Sequence, residues 1–555
     1  MDIKNPPPLA FDKLLEGRSI SAYDSSLFKL PLEILTYIAR QLPTSKTDLA
    51  SLALVNTDCR QLARSCQFRT IKFDGSRSSE DLLGLLWREA VERSQNRGRT
   101  RHLSLGACVR RVVTNNDGYW KEIIASRPLK PGRSIEDNLD DPFDDDEEKI
   151  ALWRPTVGEL TKRLNQNYRP NILFVISSLV HLESFDINQV DWNQTYLNTL
   201  VALPVKYLSL GEVQMTDIIP IMNIVDWPLE KLTIRLSWDF DYRTNSKESV
   251  LNSSKSWELL LRSCAPFLQV LNLSHSSMMA LGFKEELISF VLEFPKLRQL
   301  NLLWESNFGP LALRSLILTS PYLKTLSINY GDDNTRHLLD NEGHIESLKT
   351  LILNQTHREF PADMTLNFLK MNLQLEGLGF YSAESYTLLD YVLLLFKEGG
   401  NLKELSMIWS GLEIPESSLR ELASLTLIEN LHLSSGNQVG WRNNWLVDHL
   451  TLLENLKPLK RLRRLAFTRD AYSYTRYGST HEYSSYKDLR VCAWDDHCQN
   501  MRKMANAYAC AFKNLKLLHI GEITYEIYRV EKNIELIAID DERFSWEAEI
   551  LNINP

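Results

Sequence analysis

The residues of this chain best suited to chemistry do not stand at the spacings that chemistry needs. Cys492, His497 and Cys498 offer thiolate and imidazole donors, but a structural zinc site uses closely paired ligands in a different pattern. His481-Glu482 is followed by Tyr483-Ser484-Ser485, so the second histidine that a zinc helix places one turn later is missing. Neither a Gly-x-x-x-x-Gly-Lys phosphate loop nor a Gly-x-Ser-x-Gly nucleophile elbow occurs. No cofactor motif is found, and the chain is expected to be non-catalytic. Arg463, Arg464 and Arg469 have the charge to read an acidic or phosphorylated motif; the alternative is a solvated face.

Charge and composition narrow the partners. The chain has 555 residues, 44% of them hydrophobic and 24% charged, at a net charge of −8. Most of that charge sits in Glu136 to Glu148 (EDNLDDPFDDDEE), which carries nine acids and no base. Such a run predicts disorder. The remainder is close to neutral, which argues against a nucleic-acid partner, since phosphate binding calls for a basic face. The seven cysteines are odd in number and scattered, which points to a reducing compartment rather than a disulfide framework. Met1 to Ile20 lacks the apolar core of a secretory signal. The longest apolar run, Leu388 to Phe396, is interrupted by Asp390 and is too short to span a membrane. These features predict an intracellular protein, in cytoplasm, nucleus or both. The basic stretch KPLKRLRR (457–464) has the composition of a nuclear signal but overlaps a predicted strand.

A repeat dominates the chain. Its phrase is an apolar residue, two variable residues, Leu, one variable residue and an apolar residue, as in Leu297-Arg-Gln-Leu300-Asn-Leu302. From Leu297 the phrases start at 323, 348, 375, 402 and 428, in steps of 26, 25, 27, 27 and 26 residues. That period falls in the leucine-rich-repeat range. Each Leu-x-Leu centre predicts a short strand with alternate residues inward, and helical stretches such as Leu311 to Leu318 lie between strands. Pro266, Pro295 and Pro321 precede their phrases by two residues and stop the intervening helix. One repeat cannot bury its apolar face alone; neighbours stack and share it. Earlier phrases are read at Leu179, Val205 and Leu229, with a first one ending in Leu103-Ser-Leu105. Longer steps imply insertions, notably an acidic one near 128–150 and a tyrosine-rich one near 470–500. ITYEIYRV and IELIAID (523–540) predict two further strands. The asparagine or cysteine that regular leucine-rich repeats place three residues after the phrase is replaced here by Ser276, Glu305, Gly331, Thr356 and Ala383.

Ahead of the repeats, residues 28–73 show two amphipathic helices. Pro31 suits a first helical turn. Ile34, Leu35, Ile38 and Leu42 form one stripe. Beyond Asp48, Leu49, Leu52, Asn56, Cys59 and Ala63 recur at spacings of three or four. So short a module is marginal for an independent core and tends to lean on a partner. Leu30-Pro31, Glu33-Ile34, Ile38, Leu42, Leu49, Leu52, Leu54-Val55-Asn56, Cys59-Arg60, Leu62 and Phe68 together resemble the F-box, and the irregular repeats resemble those of fungal F-box/leucine-rich-repeat proteins. The resemblance implies a fold of class α/β: a flexible tail (1–26), a small helical F-box (27–75) and a leucine-rich-repeat solenoid (76–555) with parallel strands inside and helices outside. It further implies the substrate-recognition subunit of a ubiquitin ligase, docking on a Skp adaptor and through it on cullin, with the repeats taking a protein substrate. Leu30, Pro31, Ile34, Leu35, Ile38, Leu42, Leu49, Leu52 and Val55 are then adaptor-contact candidates; the other reading is that several only pack the module itself. An F-box scaffold acting outside any ligase is the alternative.

For the substrate, the second residue after each phrase is taken to lie on the exposed strand face. Trp304, Tyr330 and Trp409 fall there, and Tyr381 one position earlier. Exposed aromatics are favoured binding anchors, so these four form a candidate substrate-facing stripe; the alternative is that they pack against loops or the tyrosine-rich insertion.

Overall fold

The computed structural model describes residues 6, 9, 11–16, 27–31, 34–35, 37–38, 46–96, 104–115, 168–188, 194–211, 226–236, 258–275, 293–303, 310–330, 343–355, 362–383, 386–409, 413–435, 445–468, 470–471, 491–521, 523–530 and 533–539. The chain forms two compact units that divide within strand β6 (Val270–His275).

In the first unit, helices α1 (Phe11–Leu14), α2 (Lys46–Ala53) and α3 (Thr57–Gln67) accompany helical residues at 34–35 and 37–38. Asn56 lies between α2 and α3 in extended geometry, and its Oδ1 accepts the Cys59 amide at 2.7 Å, capping α3. Leu9, Leu14, Leu15, Leu35, Cys59, Leu62 and Cys108 close one core cluster, with Leu27, Leu52 and Cys66 packed against it. Leu9 and residues 11–16, expected within a flexible tail, are thus part of the module. Leu14 and Leu15 are buried, Glu16 pairs with Arg93 at 2.5 Å, and the buried Gln61 amide donates to the carbonyls of Leu14 (3.3 Å) and Ser104 (2.9 Å). Short apolar helices need a third surface to close on, and this segment supplies it.

The sheet of this unit is parallel: β1 (Thr70–Phe73), β2 (Arg111–Thr114), β3 (Ser184–Asn188), β4 (Tyr207–Gly211) and β5 (Lys231–Leu236). Ile71, Val112, Phe185, Leu208 and Leu232 share one register line. That line corrects two sequence assignments. The first repeat strand is Thr70–Phe73, inside the expected F-box, whereas Leu105 precedes a 3-10 turn at Gly106–Cys108. The phrase assigned to Leu179 starts at Leu182, since Phe185 and Ile187 are the residues in register. Both leucines are buried, so the pattern alone did not separate them. Helices α4 (Arg77–Gln95), α5 (Arg169–Ser177) and α6 (Gln194–Val201) also belong to the unit.

In the second unit the parallel strands are β7 (Gln299–Leu303), β8 (Thr325–Tyr330), β9 (Thr350–Gln355), β10 (Gly377–Ala383), β11 (Glu404–Trp409), β12 (Asn430–Ser434), β14 (Arg464–Thr468) and β16 (Leu517–Ile520). Leu300, Leu326, Leu351, Leu378, Leu405, Leu431, Leu465 and Leu518 lie in one row across them, each fully buried. Between strands run α7 (Pro310–Leu318), α8 (Ala362–Met371), α9 (Tyr386–Gly399), α10 (Glu416–Ser424), α11 (His449–Leu456) and α12 (Val491–Ala511). The expected insertion near 470–500 therefore ends in the first part of α12. Short strands β13 (Trp445–Leu446) and β15 (Asp470–Ala471) pair with each other. The two strands foreseen near the C-terminus are β17 (Ile523–Val530) and β18 (Asn533–Ile539), an antiparallel hairpin paired onto β16. The acidic run at 136–148 lies outside the described residues.

Candidate partner-binding surfaces

The helical module divides its apolar residues into two sets. Leu35 and Leu49 are buried, and Ile38 and Leu52 are half-buried; these four build the module's interior. Leu30, Pro31, Ile34 and Val55 are exposed, Ile34 at 45% and Val55 at 67% of their surface. Leu42 lies outside the described residues. The backbone explains the division. Leu30 ends a 3-10 turn, its amide bonded to the Leu27 carbonyl at 3.2 Å, and Pro31 heads the next turn, its carbonyl accepting from Ile34 and Leu35. Consecutive residues of one turn point about 100° apart, so Leu35 enters the core while Ile34 leaves it. The second exposed group stands at the α2–α3 corner. The Leu54 and Val55 amides close the end of α2 on Ser51 and Leu52, and the Asn56 cap then turns the chain. Both groups flank the same core cluster.

Two exposed residues, Tyr37 and Leu54, were not assigned as contacts from the sequence. Leu54 falls outside the three-or-four spacing of α2 that picked out Leu49 and Leu52. Large apolar residues exposed together mark a partner surface more often than chance.

One member of the expected substrate stripe, Trp409, is placed elsewhere. Trp304 lies outside the described residues. Tyr330 closes β8 and Tyr381 lies within β10. Trp409 is fully buried, 0% exposed. The reason is strand parity: side chains alternate with a period of two, so the second residue after an inward Met407 is inward again. Trp409 therefore joins Leu405 and Met407 in the core rather than forming an exposed anchor.

The opposite strand face of β11, β12 and β14 holds a polar row. His432 Nδ1 lies 2.7 Å from Ser406 Oγ and its Nε2 2.8 Å from Thr468 Oγ1, while Ser434 Oγ donates to the Thr468 carbonyl at 2.8 Å. Ser406, His432, Ser434 and Ala466 are all buried. Beside them, Asn430 donates to Glu404 at 3.3 Å. Burial pushes the Glu404 carboxyl up to about 7, against the pull of Arg464. Both ring nitrogens of His432 are thus engaged, by Ser406 and Thr468.

Of the remaining chemistry-bearing residues, His497 and Arg463 have structural partners, while Arg469, His481 and Glu482 lie outside the described residues. His497 is buried, with Nε2 2.9 Å from the Gly521 carbonyl, and Arg463 pairs with Glu429 at 3.2 Å. Among the described residues no cluster of three histidine, cysteine or carboxylate side chains is placed to hold a metal. No helix among them is long and apolar enough to cross a membrane.

No protein-family model and no curated protein matches the chain. Among the solved structures that resemble it are two of low identity. One is the TLR13–ssRNA13 complex, at 14% identity and a TM-score of 0.30 over 54% of this chain and 44% of that one. The other is an internalin, inlF, from Listeria monocytogenes, at 17% identity and a TM-score of 0.25 over 54% of this chain and 78% of that one. The chain thus spans less than half of the TLR13 chain it is similar to. The strand architecture is of the leucine-rich-repeat type, on the grounds of period and register set out above.

Proposed function

We propose that this chain is the substrate-recognition subunit of a Skp-cullin-F-box ubiquitin ligase, non-catalytic itself. The helical module docks on the Skp adaptor and the repeats take a protein substrate. One observation carries the reading: the module is closed on the side of Leu35, Leu49 and Leu62 and open at Leu30, Pro31, Ile34, Tyr37, Leu54 and Val55. A module serving only as an N-terminal cap of the repeats would present polar residues there. Of the original nine, Leu30, Pro31, Ile34 and Val55 are the exposed docking residues, joined by Tyr37 and Leu54, and Leu42, outside the described residues, stays a candidate. Leu35 and Leu49 support the surface from beneath.

The test is co-purification of the full chain with the Skp adaptor and cullin, beside a Leu30→Ala, Pro31→Ala, Ile34→Ala triple variant. Wild-type capture of both partners, lost in a variant that melts like the wild type, is the expected result. Capture of the adaptor without cullin replaces the ligase reading with a scaffold, and capture of neither removes the F-box reading.

A further inference from the structure

The β17–β18 hairpin has two contrasting faces. On one, Tyr525, Ile527 and Leu536 are buried. Arg529 fixes that side: its guanidinium donates to the carbonyls of Leu515 (2.7 Å), Ala509 (2.8 Å) and Phe512 (2.8 Å), at and just beyond the C-terminal end of α12. A cation at a helix C-terminus is favourably placed, so the hairpin is firmly seated.

The other face is open. Tyr528 is exposed by 45%, Val530 by 60% and Ile537 by 44%. The antiparallel register sets Glu526 opposite Ile537 and Glu535 opposite Tyr528, so carboxylates and apolar groups alternate across the two strands. Tyr528 donates its hydroxyl to Glu526 and also feels the Glu535 charge. Among the described residues of this face there is no cation, since Arg529 points the other way. A hairpin that only closed the array would expose polar groups, and natural edge strands are commonly blunted with lysine. This one instead combines apolar surface with negative charge. Among the described residues β18 pairs with β17 alone.

We propose that this hairpin face docks an extended segment of a partner protein in which basic and aliphatic residues take turns at every second position, so that both kinds lie on one strand face. The segment pairs along β18, its basic side chains meeting Glu535 and reaching over Ile537 toward Glu526, and its aliphatic ones extending the apolar surface of Ile537 and Tyr528. Strand addition supplies affinity through main-chain bonds, and alternate side chains supply specificity. Charge disfavours a second copy of this chain as the occupant, because two such faces would bring carboxylates together. The surface stands independently of whether the helical module binds an adaptor.

The test uses the full chain and three labelled synthetic peptides of equal length, with Thr at every second position and named for the two residues that take turns on the other strand face: Lys-Val (Lys-Thr-Val-Thr repeats), Lys-Ser and Glu-Val. Fluorescence anisotropy is expected to show binding of Lys-Val alone, weakening with salt, and hydrogen exchange is expected to slow across residues 533–539. A Glu526→Gln, Glu535→Gln double variant is expected to weaken Lys-Val binding about tenfold, and Ile537→Ser to weaken it as well. Should Ile537→Ser disturb the hairpin, the near-isosteric double variant carries the test. No Lys-Val binding, equal binding of Glu-Val, or unchanged binding by the double variant overturns the proposal. So does a sedimenting dimer that Ile537→Ser dissolves, which would assign the face to a second copy.

Discussion

The repeat strands and the N-terminal helical module both spend leucines on closing a core, with opposite outcomes. In the repeats every leucine of the register row from Leu300 to Leu518 is sealed, because the next strand in sequence arrives to cover it. In the module the same residue type is half sealed: Leu35 is inside while Leu30, Ile34, Leu54 and Val55 remain in solvent. Stacked repeats obtain their neighbours from their own chain. A module of a few short helices runs out of chain before it runs out of apolar surface, and what is left over is available to a partner.

Four substitutions sharpen or break that contrast. The largest effect is expected at Trp409, which the parity of β11 places in the core. Trp409→Ala should cost about 3–5 kcal/mol of stability in denaturant unfolding. A variant as stable as the wild type would return Trp409 to the surface and restore the aromatic stripe. Next is His432, held between Ser406 and Thr468. His432→Ala leaves buried hydroxyls without their partner and should cost about 1–3 kcal/mol; no loss would mean that this strand face is wetter than its burial indicates.

Smaller and pH-dependent is Glu404→Gln. Burial raises the folded-state carboxyl to about 7 from an ordinary value of 4.5. The contribution of Glu404 to stability is therefore present below 4.5 and is lost as pH rises through about 7. Relative to the wild type, the Gln variant should gain melting temperature between those values and hold a gain of about 2 °C above them. A gain that grows toward acid pH would contradict a desolvated carboxylate. The smallest stability change is expected at the module's edge. Ile34→Ser should alter stability by less than about 0.5 kcal/mol while abolishing adaptor capture; a strong loss of stability would make Ile34 a core residue and remove the contrast between the two regions.

Much of the fold was legible because it is periodic. Steps of 25 to 27 residues and the Leu-x-Leu centre located the strands from Leu297 to Leu433, since each inward residue must be apolar and each strand must recur once per repeat. The first strands were harder to place. Leu179 and Leu182 are both buried, one at the end of a helix and one opening a strand phrase, and only the pairing of Phe185 with Leu208 separates them. The module's helices were readable from their spacing, whereas the contribution of Leu9 and of Phe11 to Glu16 was not, because that segment is too short for a helical period to show.

By itself, then, the sequence determined the repeat, its period, the inward leucines, the terminal hairpin and the presence of a small amphipathic module, all consequences of local spacing. Tertiary structure alone decided which apolar residues are covered. Ile34 and Leu35 are neighbours of one type on one turn, and Trp409 and Val530 are both large residues near strand ends. Whether each is core or surface depends on which other segment arrives against it, a property of distant chain that no local pattern encodes.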